Sequence, residues 1–171
     1  MLGAGAGLGR LYALSLGARG AKVVVNDVSK LAADQVVAEI MAAGGQAVAN
    51  YADVCDGDAV VATALSQYGK VHIIVNNAGV LRDKSFARMT HEQWDIVYRT
   101  HLLGAMSVCK AAWKTMNEQK YGRIVNITSV NGLYGQVGQV NYAAAKMGVV
   151  GMSKSLAKEG AKKGILVNVR H

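Results

Sequence analysis

The chain has 171 residues, 51% of them apolar and 18% charged, with 19 Lys and Arg against 11 Asp and Glu for a net charge of +8. That is the composition of one well-buried globular domain over residues 1–171, and no repeat or low-complexity linker divides it. No apolar run is long enough for a bilayer, MLGAGAG lacks the charged start and long apolar core of a signal peptide, and Cys55 and Cys109 stand too far apart for a metal knuckle, so a soluble protein with reduced structural thiols and no metal is expected.

In chain order, short β-branched runs alternate with longer amphipathic ones. The opening glycines fit G-x-x-x-G-x-G. Gly3 would allow a tight exit from a strand, Gly7 close approach to a pyrophosphate, and Gly9 close packing of a helix whose N-terminal amides and dipole face the phosphates. Taken alone, the same run also reads as a flexible tail. A helix over 8–19, with Leu11, Leu14 and Leu16 on one side, stops at Gly20 and leads into a strand over 21–27 that ends on Asp27. Asp27 lies 18 residues after Gly9, the spacing at which a carboxylate reaches the adenosine ribose hydroxyls in a dinucleotide fold and repels a 2′-phosphate.

A helix over 30–43, capped by Ser29, ends at Gly44-Gly45, and a strand follows over 46–51. Next come a helix over 56–68, a strand over 71–77 closing on NNAG (76–79), and a long helix over 91–117 behind a Thr90 cap. A strand over 122–129 ends on Ser129, a helix over 141–163 carries Tyr142 and Lys146, and the last strand spans 164–169. Strands separated by single helices form right-handed βαβ units, hence a parallel sheet with helices on both faces.

Tyr142 and Lys146 are four apart and share a helix face, where an ammonium stabilises a phenolate and suits the phenol to general acid or base work. Ser129 stands at the end of a parallel strand, where ligands gather in open α/β sheets, and its hydroxyl could polarise a carbonyl or hold an alcohol. As isolated residues, Ser129 and Asp27 would also serve as ordinary turn residues. The charge of +8 suits nucleic acid, a membrane surface, or small polyanions such as nucleotides and coenzyme A. Lys154, Lys158 and Lys162 recur every four residues with no aromatics between them, which reads as a solvated helix face and speaks against nucleic acid.

GAGAGLG (3–9), Asp27, ADV (52–54), NNAG (76–79), Ser129 and YAAAK (142–146) stand in the order and spacing of the short-chain dehydrogenases/reductases, and the chain resembles that family over nearly its whole length. Within it, NNAGVLRDKSFARMTHEQWDIVYRTHLLGA and KYGRIVNITSVNGLYGQVGQVNYAAAK look most like the (3R)-hydroxyacyl-CoA dehydrogenase domains of the peroxisomal multifunctional type 2 enzymes. The resemblance implies a three-layer Rossmann-type doubly wound sheet, and NAD-linked oxidation of 3-hydroxyacyl-CoA to 3-ketoacyl-CoA in fatty-acid β-oxidation. It makes Tyr142 the catalytic base, Lys146 its partner and the holder of the nicotinamide ribose, and Ser129 the residue that orients the substrate hydroxyl. His101 would stand where most of the wider family has asparagine on a water chain to the lysine. Gly3, Gly7, Leu8, Gly9, Asp27, Asp53, Val54, Asn76, Ala78 and Gly79 would contact the cofactor. An acyl-CoA substrate, a homodimer or homotetramer through the long helices, and a peroxisomal location are implied as well, the location being cytoplasmic otherwise.

The ends depart from the family pattern. A strand leading into threonine-glycine is expected before the glycine run, with Leu2 here replacing the threonine, and a proline loop and acyl pocket are expected after VNVRH. The sequence thus predicts a fold truncated at both ends, lacking a central strand, and therefore poorly stable or oligomeric and weakly active. The alternatives are an NADPH-dependent 3-oxoacyl-[acyl carrier protein] reductase, against which Asp27 argues, and a non-catalytic nucleotide- or partner-binding fragment.

Overall fold

A computed structural model describes residues 1–170. The elements run α1 (Gly7–Ala18), β1 (Lys22–Asn26), α2 (Lys30–Ala42), β2 (Gln46–Asn50), α3 (Gly57–Tyr68), β3 (Ile73–Asn76), α4 (His91–Tyr98), α5 (Gly104–Gln119), β4 (Gly122–Ile127), α6 (Val130–Tyr134), α7 (Val140–Gly160) and β5 (Ile165–Arg170). A π turn, Arg99–Leu103, joins α4 to α5, so the long helix expected over 91–117 is one helical rod with a widened turn inside it.

All strands are parallel, as the near-continuous apolar runs require. β1 pairs with β2, and β3 with β4 and β5. Leu2 joins the two groups by parallel bridges to Asn26 and Asn76, which gives the order β2-β1-Leu2-β3-β4-β5. The place of the expected central strand is thus marked at its upper end by Met1 and Leu2. Two apolar clusters flank this line, one around Ala13, Val25, Val36 and Ile40, the other around Leu2, Ile74, Val108, Met116, Ile124 and Ile165.

Caps set the helix starts as the sequence implies. Ser29 accepts from Ala32 N–H, Asp56 accepts from Ala59 N–H, and Thr90 and Gln93 form a reciprocal capping box. Of the three leucines expected on one side of α1, Leu14 and Leu16 pack against the first cluster while Leu11 is 54% exposed, and the fully buried residues of that helix are Gly9, Ala13 and Gly17. The helix lies so close to its neighbours that only small residues fit, since a Cβ on Gly17 would stand 2.7 Å from Ile40. The five residues of α6, directly after Ser129, were not foreseen, because a single helical turn has no periodicity to read. Among the described residues no helix is long and apolar enough to cross a membrane.

A row of buried asparagines crosses the sheet near the carboxyl ends of the strands. Asn26 donates to Asn50 at 2.7 Å, Asn76 to Asn126 at 2.7 Å, and Asn126 to Ser153 at 2.7 Å on α7. These pairs lie in register, Asn26 opposite Asn50 and Asn76 opposite Asn126, with Leu2 between the two pairs. Buried amides cost little only while each is partnered. Asn126→Ala leaves Asn76 Nδ2 only the weaker Cys109 sulfur as acceptor and takes a donor from Ser153, and is expected to cost roughly 2 kcal/mol, read as a lowered urea midpoint with unchanged slope; an unmoved midpoint would refute the role of this row.

Candidate active site

The glycine turn is built as its sequence demands. Gly3 has φ +59° and a side chain there would stand 2.6 Å from Ala78 Cα; Gly7 has φ +52° and opens onto free space. A Cβ on Gly9 would lie 1.9 Å from the Gly3 carbonyl, so α1 starts directly against the turn. The same carbonyl accepts from Asn77 Nδ2 at 3.0 Å. Asp27 closes the far side: its carboxylate accepts from Gly5 N–H at 2.9 Å and from Ser29 N–H at 3.0 Å.

At the other end stand Tyr142 and Lys146 on α7 and His101 on the π turn. Lys146 Nζ is 5.5 Å from the centre of the Tyr142 ring, and the His101 ring meets Tyr142 edge to face at 5.1 Å. Lys146 is 4% exposed and donates to the Ile127 carbonyl at 2.6 Å. Burial lowers its ammonium from 10.5 to about 8.

His101 is buried, with Nε2 within hydrogen-bonding distance of both Val80 N–H (3.0 Å) and Val80 C=O (2.8 Å). Its Nδ1 is buried with no protein partner. Burial first, and the Lys146 charge second, hold the ring well below its ordinary 6.5, at about 4, so it is neutral at physiological pH. The π turn adds a residue to one helical turn, a device that re-aims side chains at functional sites. Gly79 makes room for this ring: a Cβ there would lie 2.5 Å from His101 Cε1.

One cleft of about 450 Å³ holds Gly3, Gly7, Leu8, Gly9, Asp27, Gly79, His101, Tyr142 and Lys146. Ala78 lies at its floor with Val54 and Asn76, beside His101 and Lys146. The Asn76 side chain is turned into the sheet toward Asn126 and Cys109, so only its backbone is available to a ligand. Burial keeps the Cys109 thiol protonated, raised to about 11. Asp53 lies outside the cleft, exposed, accepting from Cys55 N–H at 2.8 Å. Ser129 caps α6, its hydroxyl oxygen accepting from Asn131 N–H at 3.2 Å, which leaves its own proton to donate.

Several residues that line the cleft or support its walls were not singled out from sequence. Gly5 supplies the amide that fixes Asp27, and Asn77 fixes Gly3; both stand inside the glycine-rich and NNAG motifs, where nothing in the residue order marks them out from their neighbours. Asn141 is 2% exposed and ties α7 to the preceding loop by donating to the carbonyls of Arg82 (3.1 Å) and Gln93 (3.0 Å). Gln139 does the same through Asp83 and Asn131, at 2.8 and 2.9 Å.

Residues 1–171 match the model of the short chain dehydrogenase family. The peroxisomal multifunctional enzyme A of Dictyostelium discoideum is 52% identical over 175 residues, covering 97% of this chain and 40% of that protein. A 3-oxoacyl-[acyl-carrier-protein] reductase of Synechocystis is 48% identical, covering 97% of this chain and 69% of that protein. The solved structure of full-length peroxisomal multifunctional enzyme type 2 from Drosophila melanogaster superposes with a TM-score of 0.87 at 48% identity, over 98% of this chain and 29% of that one. The chain therefore spans well under half the length of the multifunctional relatives it matches.

His101 makes stability depend on pH. Folded, it takes a proton only near pH 4, whereas unfolded it does so near 6.5. The unfolded chain therefore binds more protons between those values, and the contribution present above pH 6.5 is lost as the pH falls toward 4. His101→Asn is expected to flatten this part of the stability curve in urea titrations at pH 6.5 and 4.5. The Met1 amino group, lowered by burial from 8 to about 5, adds a separate slope between pH 8 and 5 that the variant retains.

Proposed function

This chain belongs to the short-chain dehydrogenase family, a family of oxidoreductases, and we propose that it oxidises a 3-hydroxyacyl-CoA to the 3-ketoacyl-CoA with NAD. The observation that carries this reading is the single cleft with a glycine turn and carboxylate at one end and a tyrosine–lysine pair at the other. The bound nicotinamide would supply the acceptor for the hydride that leaves the hydroxyl-bearing carbon.

The residues present fit such a cofactor. Gly7 opens onto free space beside the N-terminus of α1, so amides and helix dipole are free to meet a pyrophosphate. Asp27 already accepts two backbone bonds, yet a carboxylate has about four lone-pair sites and keeps capacity for ribose hydroxyls. Its negative charge opposes a 2′-phosphate. Reduction of a 3-oxoacyl thioester with NADPH would need a cation where Asp27 stands.

Tyr142 takes the proton of the substrate hydroxyl as the carbonyl forms, Ser129 donates to the same oxygen, and Lys146 places its charge beneath the ring that gains and passes on that proton. His101, neutral and held by Val80, packs edge to face with Tyr142 and helps to fix its ring. An acyl substrate is supported by exposed apolar residues in the segments that adjoin the site: Leu81 at the cleft itself, and Val130 and Tyr134 on α6 directly after Ser129. The charge of +8 complements the phosphates of coenzyme A. The multifunctional relatives are named as peroxisomal enzymes, and we extend that setting to this chain as part of the same reading.

Tyr142→Phe is expected to lower NAD reduction with a short 3-hydroxyacyl-CoA by roughly 10²–10⁴-fold while calorimetry shows NAD binding unchanged. Asp27→Ala is expected to bring NADP binding up toward that of NAD. Preference of the unaltered chain for NADPH, or full activity in the phenylalanine variant, would overturn the proposal.

A further inference from the structure

Ser129 stands on a support that its own segment cannot supply. Its hydroxyl oxygen accepts from Asn131 N–H at 3.2 Å, at the start of α6. A helix of five residues gives up backbone freedom for very few hydrogen bonds and does not hold its place unaided. Two features tie it down. Gly132 lies against α7, where a Cβ would stand 3.1 Å from Lys146 Cβ, and Asn131 Nδ2 donates to Gln139 Oε1 at 2.9 Å.

Gln139 is buried directly before α7 and is bonded at both ends of its amide. Its Nε2 donates to Asp83 Oδ2 at 2.8 Å. An ionised carboxylate only accepts, so the amino end of Gln139 faces Asp83, its oxygen faces Asn131, and Asn131 presents its own amino group in turn. The carboxylate thus sets the direction of every bond along Asp83, Gln139 and Asn131, and Asn131 is the residue whose backbone N–H grips Ser129 Oγ. Asp83 is fixed by its neighbours. The Arg82 carbonyl accepts from Asn141 Nδ2 at 3.1 Å, and Lys84 N–H donates to the Gly138 carbonyl at 2.9 Å. Asn141 precedes Tyr142, so one brace spans both the serine and the tyrosine.

We propose that Gln139 is a positioning residue for the reaction: through Asn131 it holds the Ser129 hydroxyl in the place from which it meets the same substrate oxygen as Tyr142. This rests on the reading of Ser129 and Tyr142 given under the proposed function. Gln139 is buried and bonded at both ends, so it acts through Asn131 and not on the substrate. Asp83, exposed at the surface, is the anchor that gives the row its polarity.

Reversing one group and then repairing it tests the row. Gln139→Glu sets a carboxylate against Asp83, and the like charges drive the side chain out of place. Adding Asp83→Asn restores the pair with donor and acceptor exchanged, and the second oxygen of the introduced carboxylate accepts from Asn131 as before. Gln139→Glu is expected to lower kcat for NAD reduction with a short 3-hydroxyacyl-CoA by roughly tenfold to a hundredfold, the effect of a misplaced group, with NAD affinity unchanged in calorimetry. The double variant is expected to regain most of that loss. Hydrogen exchange at the Asn131 amide reads the same event without turnover: it should quicken roughly tenfold in the single variant, the worth of one hydrogen bond, and slow again in the double. Should Gln139→Glu not fold, Asn131→Ala cuts the row at a half-buried position, keeps the backbone amide, and is expected to show the same losses. If the unaltered chain reduces no NAD, the reading of the reaction fails and exchange alone decides on Gln139. Unchanged exchange, an undiminished kcat, a double variant that regains nothing, or NAD affinity that falls in step with kcat would each overturn the proposal.

Discussion

Leu2 donates to Val75 on one side, Met1 accepts from Asn26 on the other, and through these bonds two groups of strands form one sheet. The residue that follows is Gly3, so the same joint fixes where the glycine turn starts. Its carbonyl is gripped by Asn77 and covered by Gly9, and its α-carbon lies against Ala78. The ligand turn is therefore mounted on the β3 half of the molecule through Asn77 and Ala78, and on the β1 half through Gly5 and Asp27.

The asparagine row explains how the two halves keep their level. Each pair locks two neighbouring strands in register, and a one-residue slip would turn every apolar side chain of a strand to the wrong face. Amides serve here because they bond sideways to a neighbouring strand, down to a helix, and up to a loop, as Asn26 does with Asn50 and Ala52. With the strand ends level, β4 delivers the Ile127 carbonyl to Lys146, and α7 is anchored through Ser153 to the same strand.

The cation at the centre of the site is costly to bury, and its surroundings show the consequence. Lys146 loses hydration, which lowers its affinity for a proton, and it in turn opposes protonation of His101. A neutral imidazole beside a charged lysine is the arrangement of lower energy, and asparagine would serve the same place without a charge to suppress. Gly79 and the π turn are the two structural conditions that admit the larger ring.

Strand and helix order, the capping residues, the parallel sheet and the membership of Gly3, Gly7, Gly9, Asp27, Tyr142 and Lys146 in one site were legible in the sequence, because each rests on local periodicity or short spacing. The sequence did not reveal the contact face of α1, where Leu14 and Leu16 pack at the margin and close approach to α2 makes Gly9, Ala13 and Gly17 the buried residues. Tertiary structure alone decided that Asn76 points into the sheet, that Asp53 stays outside the cleft, that Gly79 serves His101, and that Gly5 holds Asp27. Those outcomes depend on contacts between residues 21 to 50 positions apart or on the direction a side chain leaves the backbone, and neither is written in the order of residues along a single strand or helix.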